Sequence, residues 1–478
     1  MQTDKAIDLT RGSILTNLLR LSFPIMLSNF MQTFYNLTDA FWLGKLGPIA
    51  KGAVSTAGIT FPVVFFLSSF GFGFAVAGTA MVARFKGAGQ MEKVKELIGQ
   101  YVLILVVFSA VFLTISMVFL KDILVLLNVP DEIFDMAAGY MRTILIGMVF
   151  MFVFIFYQSF SHGLGDTYTP MKIQFISVLL NVCLDPLFIF GIGFLPRMET
   201  LGAAYATLIA RIVGAAIAII WMYRKSRFLF PGLKDLVPDW QIIKNIIKLS
   251  VPASIGQSMT SFGFIFLQRF VNSFGTVVIS TYAIGNRMTS LFMMPAMGIS
   301  NALSAIVGQN LGAKNPHRAE KSFRIAFGLV MVIMTVGCSL VFLFGAELTQ
   351  LFIDDQAVVE VGKRMFEVTA LAANIFGALF VFIGVFNGAG QTSVSMILNI
   401  GRLWLIRIPF VFILSGRALE SSIVSDSFLA PLIIKMAEPL AAYPYDALWW
   451  SMLISNTIMS LIAYGIYLGG SWKHKKIE

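Results

Sequence analysis

Charged residues are scarce in this sequence. They make up 13% of the 478 residues, while hydrophobic residues make up 57%. Soluble domains contain about a quarter charged residues, so the composition excludes an ordinary soluble enzyme and a disordered chain. The apolar runs are continuous and lack the alternation over about ten residues that marks a strand of a membrane β-barrel. We therefore expect a polytopic membrane protein built of helices.

Cysteine and histidine are nearly missing as well. The two cysteines, Cys183 and Cys338, lie inside apolar runs, so we expect both to be buried and no disulfide framework to form. The three histidines are too few and too scattered for a metal site. The sequence also has no His-Glu-x-x-His or Gly-x-Ser-x-Gly motif. We therefore expect a protein that is not an enzyme and has no cofactor.

Apolar runs punctuated by Gly, Pro and charged residues predict twelve membrane-spanning helices. They lie at 17–43, 52–80, 96–120, 136–161, 169–194, 202–223, 244–271, 278–306, 322–346, 361–387, 393–415 and 447–470. The first run is too long for a signal peptide, so we interpret it as an uncleaved span.

Lys and Arg are unevenly distributed between the two sets of loops. The tails and the loops on their side, together with five Lys and Arg residues at the adjoining span ends, carry 21 of them, and the opposite loops, together with two at span ends, carry 8. The positive-inside rule therefore predicts that both termini are cytoplasmic, with the chain in the cell (inner) membrane. The same asymmetry accounts for the net charge of +10 without a nucleic-acid partner.

The sequence contains two copies of one unit. Three motifs recur in the same order: Leu-Ser-x-Pro at 21–24 and 249–252, Gly-Ala at 87–88 and 312–313, and Gly-x-Gly-x-Thr at 163–167 and 388–392. The predicted domains are an N-lobe at 1–223, a cytoplasmic linker at 224–243 and a C-lobe at 244–478. Each lobe has six spans, which predicts two six-helix bundles related by a pseudo-twofold axis along the membrane normal. Such a pair of bundles suits alternating access.

Two acidic residues fall deep within predicted spans, Asp39 in span 1 and Asp185 in span 5. Charge at membrane depth costs several kcal/mol and indicates function by default. Each acid ends a polar helix face: Ser28, Gln32, Asn36 and Asp39 on one helix, and Gln174, Ser177, Asn181 and Asp185 on the other. We expect the two faces to meet within one bundle, with Thr207 of span 6 as a further candidate.

Burial gives these acids two alternative chemistries. Desolvation and a second carboxylate nearby both favour a neutral carboxyl group, so the pair can load and release a proton. Alternatively, the two carboxylates and the neighbouring Asn and Thr oxygens form a Na⁺ site. A purely structural role as hydrogen-bonded contacts between helices is the competing interpretation. Pro24 and Pro186 lie on the same two helices. Each proline lacks a backbone N–H, which leaves a backbone carbonyl without its hydrogen bond and allows the helix to bend.

The C-terminal half lacks this acid pair. In the repeat, Asp39 aligns with Leu267, and Asp185 falls near Ile408. We therefore expect ion coupling in the N-lobe and a neutral cavity wall in the C-lobe. The candidate residues of the substrate cavity are Gln32, Asn36, Gln174, Gln257, Ser261 and Gln268.

These features resemble the multidrug and toxic compound extrusion (MATE) family over essentially the whole chain. The resemblance is carried by Pro24 and Asp39 in helix 1 and by Asn181-x-x-x-Asp185-Pro in helix 5. It is strongest to the DinF-like and archaeal branch, whose acids lie in the N-lobe. It implies that Asp39, Asn181, Asp185 and Thr207 form the cation or proton site and that Pro24 bends helix 1. The branch with Glu and Asp in helices 7 and 10 is not matched.

The sequence thus predicts a monomeric antiporter of the MATE fold. It would export amphipathic, often cationic, organic compounds in exchange for H⁺ or Na⁺. The alternative is a lipid-linked oligosaccharide flippase of the same superfamily. Such proteins hold pyrophosphate with several cations in the cavity, for which Arg402 and Arg407 of span 11 are the candidates.

Overall fold

The structure is a computed structural model that describes residues 7–193, 196–420 and 430–475. Over these three stretches the chain is overwhelmingly helical and contains no strand. The prediction of an all-α polytopic membrane protein is therefore confirmed.

Twelve long helices follow one another along the described residues. They are α1 (Ile14–Gly44), α2 (Ala50–Gly87), α3 (Met91–Val118), α4 (Asp131–Gly163), α5 (Tyr168–Phe190), α6 (Glu199–Lys225), α7 (Trp240–Asn272), α8 (Thr276–Gly312), α9 (Pro316–Leu343), α10 (Gln356–Gly388), α11 (Thr392–Leu414) and α12 (Ala447–Leu468). Each begins or ends within about one or two turns of a predicted span. Short helices at Leu120–Leu126, Gly345–Gln350 and Ala430–Ala437 lie between them.

Eleven of these twelve helices are long and apolar enough to cross a membrane by length and composition. The twelfth, α7, is 33 residues long but more polar. Lys244, Lys248 and Arg269 lie near its ends, and its middle carries the neutral polar residues Gln257 and Ser261. Its length nevertheless exceeds the ~20 residues that a bilayer span requires.

Several helices extend beyond the apolar runs that predicted them. α2 continues to Gly87 and α4 begins at Asp131, because a helix keeps its backbone hydrogen bonds after the chain leaves the lipid. α1 begins after Ser13, whose side chain accepts a hydrogen bond from the backbone N–H of Thr16. That N-cap satisfies a donor that the helix itself leaves free.

Large apolar side chains cover the outer faces of the helices. On α3, Val106 is 62% exposed and Val111 52% exposed, as expected where a helix contacts lipid. Cys183 lies on a comparable face of α5 beside the exposed Leu179, whereas Cys338 is buried. The expectation that both cysteines are buried is therefore wrong for Cys183, because membrane proteins present apolar residues outward as well as inward.

The described residues divide into two compact units. One contains the chain up to Ile255 together with Ala305–Ala319, and the other contains Gly256–Ser304 and Glu320–Lys475. The core of the first unit is rich in aromatic rings, including Tyr101, Phe152 and Phe156. The core of the second unit includes Tyr282, Phe366 and Trp449. The lobe boundaries inferred from the sequence repeat stay a prediction.

Candidate functional site

Polar side chains of α1, α5 and α6 meet inside the first unit. Asn181 and Asp185 are completely buried on α5, and Thr207 on α6 is nearly so. The carboxyl group of Asp39 on α1 lies within interaction distance of all three. The structure thus brings together the four residues that the sequence analysis named as the cation or proton site.

Helix spacing orients the two polar groups of α5. Asn181 and Asp185 are four residues apart and therefore share one helix face. The amide nitrogen of Asn181 donates a hydrogen bond to Asp185 Oδ1 at 3.1 Å. This bond turns the amide oxygen of Asn181 away from Asp185 and leaves it free for another group.

Three oxygens of this cluster are buried without a hydrogen-bond partner. They are Asp39 Oδ1, Asn181 Oδ1 and Asp185 Oδ2. A buried acceptor that lacks a hydrogen bond costs about 1–3 kcal/mol. Three such oxygens in one cluster are therefore costly unless a ligand binds there. A proton or a small hard cation would satisfy these oxygens. Within the described residues, no three His, Cys, Asp or Glu side chains converge as a multivalent metal site would require.

Three further residues, which were not predicted from the sequence, adjoin the cluster. The hydroxyl of Tyr35 donates to Thr207 Oγ1 at 2.8 Å, and Tyr140 of α4 lies close enough to interact with both acids. Arg211, one turn after Thr207, interacts electrostatically with Asp39. Sequence signals could have found two of them: Tyr35 lies four residues before Asp39, and Arg211 is itself a charge inside a span.

The two polar faces predicted for helices 1 and 5 make contact farther along the helices. The amide nitrogen of Gln174 donates to Gln32 Oε1 at 3.0 Å. Asn36, in contrast, is exposed and lies off the buried side of α1. Gln32 and Gln174 therefore belong to the interface between α1 and α5.

The remaining candidate cavity residues lie on α7 in the second unit. Ser261 is buried, and its hydroxyl donates to the backbone oxygen of Gln257. Gln268 is exposed and bonds to Asn272 of the same helix at 2.8 Å. Their assignment to a substrate cavity stays a prediction.

The two prolines lie inside continuous helices, Pro24 in α1 and Pro186 in α5. Each removes one backbone donor from its helix, and Pro186 does so immediately beside Asp185. Their predicted role in helix bending stays a prediction.

Small residues bring α5 and α6 together at this site. A Cβ atom on Gly202 would lie 2.6 Å from the backbone carbonyl of Phe188. Farther along, the hydroxyl of Ser177 donates to the backbone oxygen of Ala210 at 2.5 Å. Such close backbone approach is typical of helix packing in membranes, and it holds Thr207 beside the polar face of α5.

Replacing Tyr35 by Phe is expected to lower the free energy of unfolding by about 1 kcal/mol. The substitution removes the buried hydrogen bond to Thr207 and keeps the ring. Unfolding of the purified protein in mixed micelles by increasing SDS would measure the change. Tyr223→Phe is the matched control, because Tyr223 is exposed on α6, and an equal loss there would contradict the prediction.

Comparison with known proteins relates the whole chain to membrane transporters. The MatE family model matches residues 24–187 and 252–413. The probable multidrug resistance protein YoeA of Bacillus subtilis (strain 168) is 27% identical over 82% of this chain and 85% of its own length. The probable multidrug resistance protein YpnP of the same organism is 28% identical over 86% of this chain and 91% of its own length.

A solved structure has the same fold. The crystal structure of MATE in the bent conformation superposes with a TM-score of 0.85 at 23% identity, covering 99% of each chain. None of these matches separates the DinF-like branch from the rest of the family, so the assignment of this chain to that branch stays a prediction. The family model covers more than half of the chain, and this protein therefore belongs to the MatE family, whose members are transporters and not enzymes.

Proposed function

We propose that this protein is an antiporter that exports amphipathic, often cationic, organic compounds in exchange for H⁺ or Na⁺. The observation that carries the proposal is the set of three buried, unpartnered oxygens on Asp39, Asn181 and Asp185. Buried oxygens without a partner raise the free energy of the folded protein, and a bound proton or small cation removes that cost. The coupling ion is therefore cargo that the protein binds and releases in each cycle.

Coupling requires that the ion and the exported compound favour different conformations. Asp39 belongs to α1, and Asn181 and Asp185 belong to α5. An ion bound between them draws these helices together, and its release leaves charges that repel each other. Pro24 and Pro186 weaken the helices at the points where they would bend in response.

Electrostatics also favour an exchange of this kind. Arg211 lies near Asp39 and supplies a fixed positive charge that offsets one ionised carboxylate. The cluster thus carries one uncompensated negative charge when both acids are ionised. A single proton or Na⁺ neutralises it, which sets our proposed stoichiometry of one ion at this site.

The class of exported compound is inferred from the relatives. YoeA and YpnP are each described as a probable multidrug resistance protein, and the name carries over here as part of the proposal. We further propose that the chain acts as a monomer in the cytoplasmic membrane with both termini in the cytoplasm. The 21-to-8 asymmetry of Lys and Arg supports that orientation.

The alternative of an oligosaccharide flippase is not favoured. It relied on Arg402 and Arg407 as cavity cations that hold pyrophosphate. Arg402 is 1% exposed and Arg407 is 4% exposed, so both side chains are buried within the second unit. Side chains this buried offer little surface to a large lipid-linked headgroup.

The test is transport of a fluorescent organic cation into everted membrane vesicles. A pH gradient with the acidic side inside the vesicles and a Na⁺ gradient with the higher concentration inside the vesicles are imposed separately, each with the membrane potential clamped. We expect one of the two gradients to drive accumulation, by about tenfold per pH unit for one exchanged proton. Accumulation that is unaffected by either gradient would refute ion coupling, and vesicles without the protein provide the baseline.

A further inference from the structure

The second unit contains two buried arginines on an unusual helical segment. Residues Gly401–Arg407 of α11 form a π-helix, a rare form that occurs frequently at functional sites. Arg402 and Arg407 are five positions apart, which in an α-helix would turn their side chains about 140° apart. The i→i+5 bonding of a π-helix brings residues five apart to nearly the same side. Pro409 lies two residues after Arg407 and deprives the next turn of a backbone donor.

Aromatic rings and one amide surround the two guanidinium groups. Arg402 Nη1 donates to Asn456 Oδ1 at 3.4 Å, and its guanidinium carbon lies 4.1 Å from the ring centroid of Phe376. Arg407 lies close enough to Tyr282 to interact electrostatically. Tyr282 in turn stacks on Trp449, with ring centroids 6.0 Å apart.

The helix order places these groups around one site. α12 packs against the π-helical segment of α11, and Trp449 lies two turns before Asn456 on α12. Tyr282 on α8 lies beside Arg407, and Phe376 on α10 lies beside Arg402. The surroundings of the two guanidinium groups therefore include three aromatic rings and the side-chain amide of Asn456.

Three N–H groups of this site are buried without a hydrogen-bond partner. They are Arg402 Nε, Arg407 Nε and Trp449 Nε1. Among the described residues, neither arginine forms an ion pair. Arg364 in the same unit shows the contrast, because its guanidinium group pairs with the carboxylate of Asp446. Two buried cations without an anion are costly in a protein interior and more so at membrane depth.

We propose that Arg402, Arg407 and Trp449 bind a small monovalent anion of the halide type inside the second unit. A halide accepts hydrogen bonds from any direction and needs no acceptor in return, which suits a site whose free polar groups are all donors. One bound anion would satisfy the three N–H groups and offset the positive charge.

The sequence repeat gives this proposal an independent argument. α5 and α11 are the fifth helices of their halves, and both follow a Gly-x-Gly-x-Thr motif. α5 carries the buried Asn181 and Asp185, each with an unpartnered oxygen, and α11 carries two buried arginines, each with an unpartnered N–H group. The two halves thus carry buried sites of opposite polarity on corresponding helices.

The test measures equilibrium binding of radiolabelled chloride to the purified protein in a chloride-free gluconate buffer. We expect saturable binding of one chloride per chain, with competition by bromide and little competition by formate or phosphate. Arg402→Gln and Arg407→Gln are each expected to weaken binding about tenfold or more, because each removes a charged donor. Arg324→Gln, which changes an exposed arginine of the same unit, is expected to bind chloride normally.

Trp449→Phe keeps an aromatic side chain and removes the indole N–H together with the pyrrole ring that carries it, so it tests the site if the arginine variants fail to fold. It should weaken chloride binding and leave the elution volume of the protein in size-exclusion chromatography unchanged. The proposal is overturned if the wild-type protein binds no chloride saturably, or if Trp449→Phe binds it normally. Stronger competition by formate or phosphate than by bromide would overturn the assignment to a halide.

Discussion

Replacing Asp185 by Asn is expected to abolish ion-driven accumulation of exported compounds. In everted vesicles, the accumulation ratio should fall from about tenfold per pH unit to the ratio reached without a gradient. Asn has the shape of Asp but can neither take up a proton nor carry the negative charge that attracts a cation. Asp185 is completely buried and its Oδ2 has no partner. An acid at the protein surface therefore cannot take over its role in binding the ion.

Asp39→Asn is expected to have the same effect, because the two carboxyl groups act as a pair. The double variant should then be no worse than either single variant, since residues that act as one unit are not additive. Direct binding of the fluorescent cation to the purified variants should persist, which separates loss of coupling from loss of folding.

Asp135→Asn is the matched control for both variants. Asp135 is an exposed acid on α4 of the same unit, and its loss should leave gradient-driven accumulation unchanged. If Asp39→Asn and Asp185→Asn both retain full accumulation, the coupling site has been assigned to the wrong residues.

Replacing Gly202 by Ala is expected to destabilise the protein by about 1–3 kcal/mol, the usual cost of overpacking a tight contact. The added methyl group would lie 2.6 Å from both the carbonyl carbon and the oxygen of Phe188. These are backbone atoms, so no side chain can rotate away to make room. α6 must move off α5, and Thr207 moves with it.

Gly58→Ala on α2 is the matched control. A Cβ atom there meets nothing within 4 Å, and Ala is the better helix former by about 1 kcal/mol. This variant should be as stable as the wild type or more so. Unfolding by increasing SDS in mixed micelles compares the two variants, and equal stability of both would contradict the packing argument.

The helices could be predicted from the sequence because lipid imposes a single demand on them. Every span must be apolar over about 20 residues, and that pattern is local. The same demand explains the errors at the boundaries. Hydropathy marks where a helix meets lipid, whereas α2 and α4 end where their hydrogen bonding ends, several residues farther out.

The candidate site could be predicted in part. Asp39, Asn181 and Asp185 were identifiable because polar residues at helical spacing in an apolar run are conspicuous. Tyr35 and Arg211 were not assigned to it, since tyrosines and arginines also occur at span ends for interfacial reasons. Their role depends on which way α1 and α6 are rotated, and that rotation depends on packing between helices.

The sequence by itself determined that this protein is a twelve-helix membrane protein with two related halves and an acid pair in the first half. Only the tertiary structure decided which buried oxygens of Asp39, Asn181 and Asp185 lack partners. It also revealed the π-helix at Gly401–Arg407, on which the buried Arg402 and Arg407 lie. The reason is physical: hydropathy and spacing are properties of single segments, whereas the satisfaction of a buried polar group depends on the other helices that surround it.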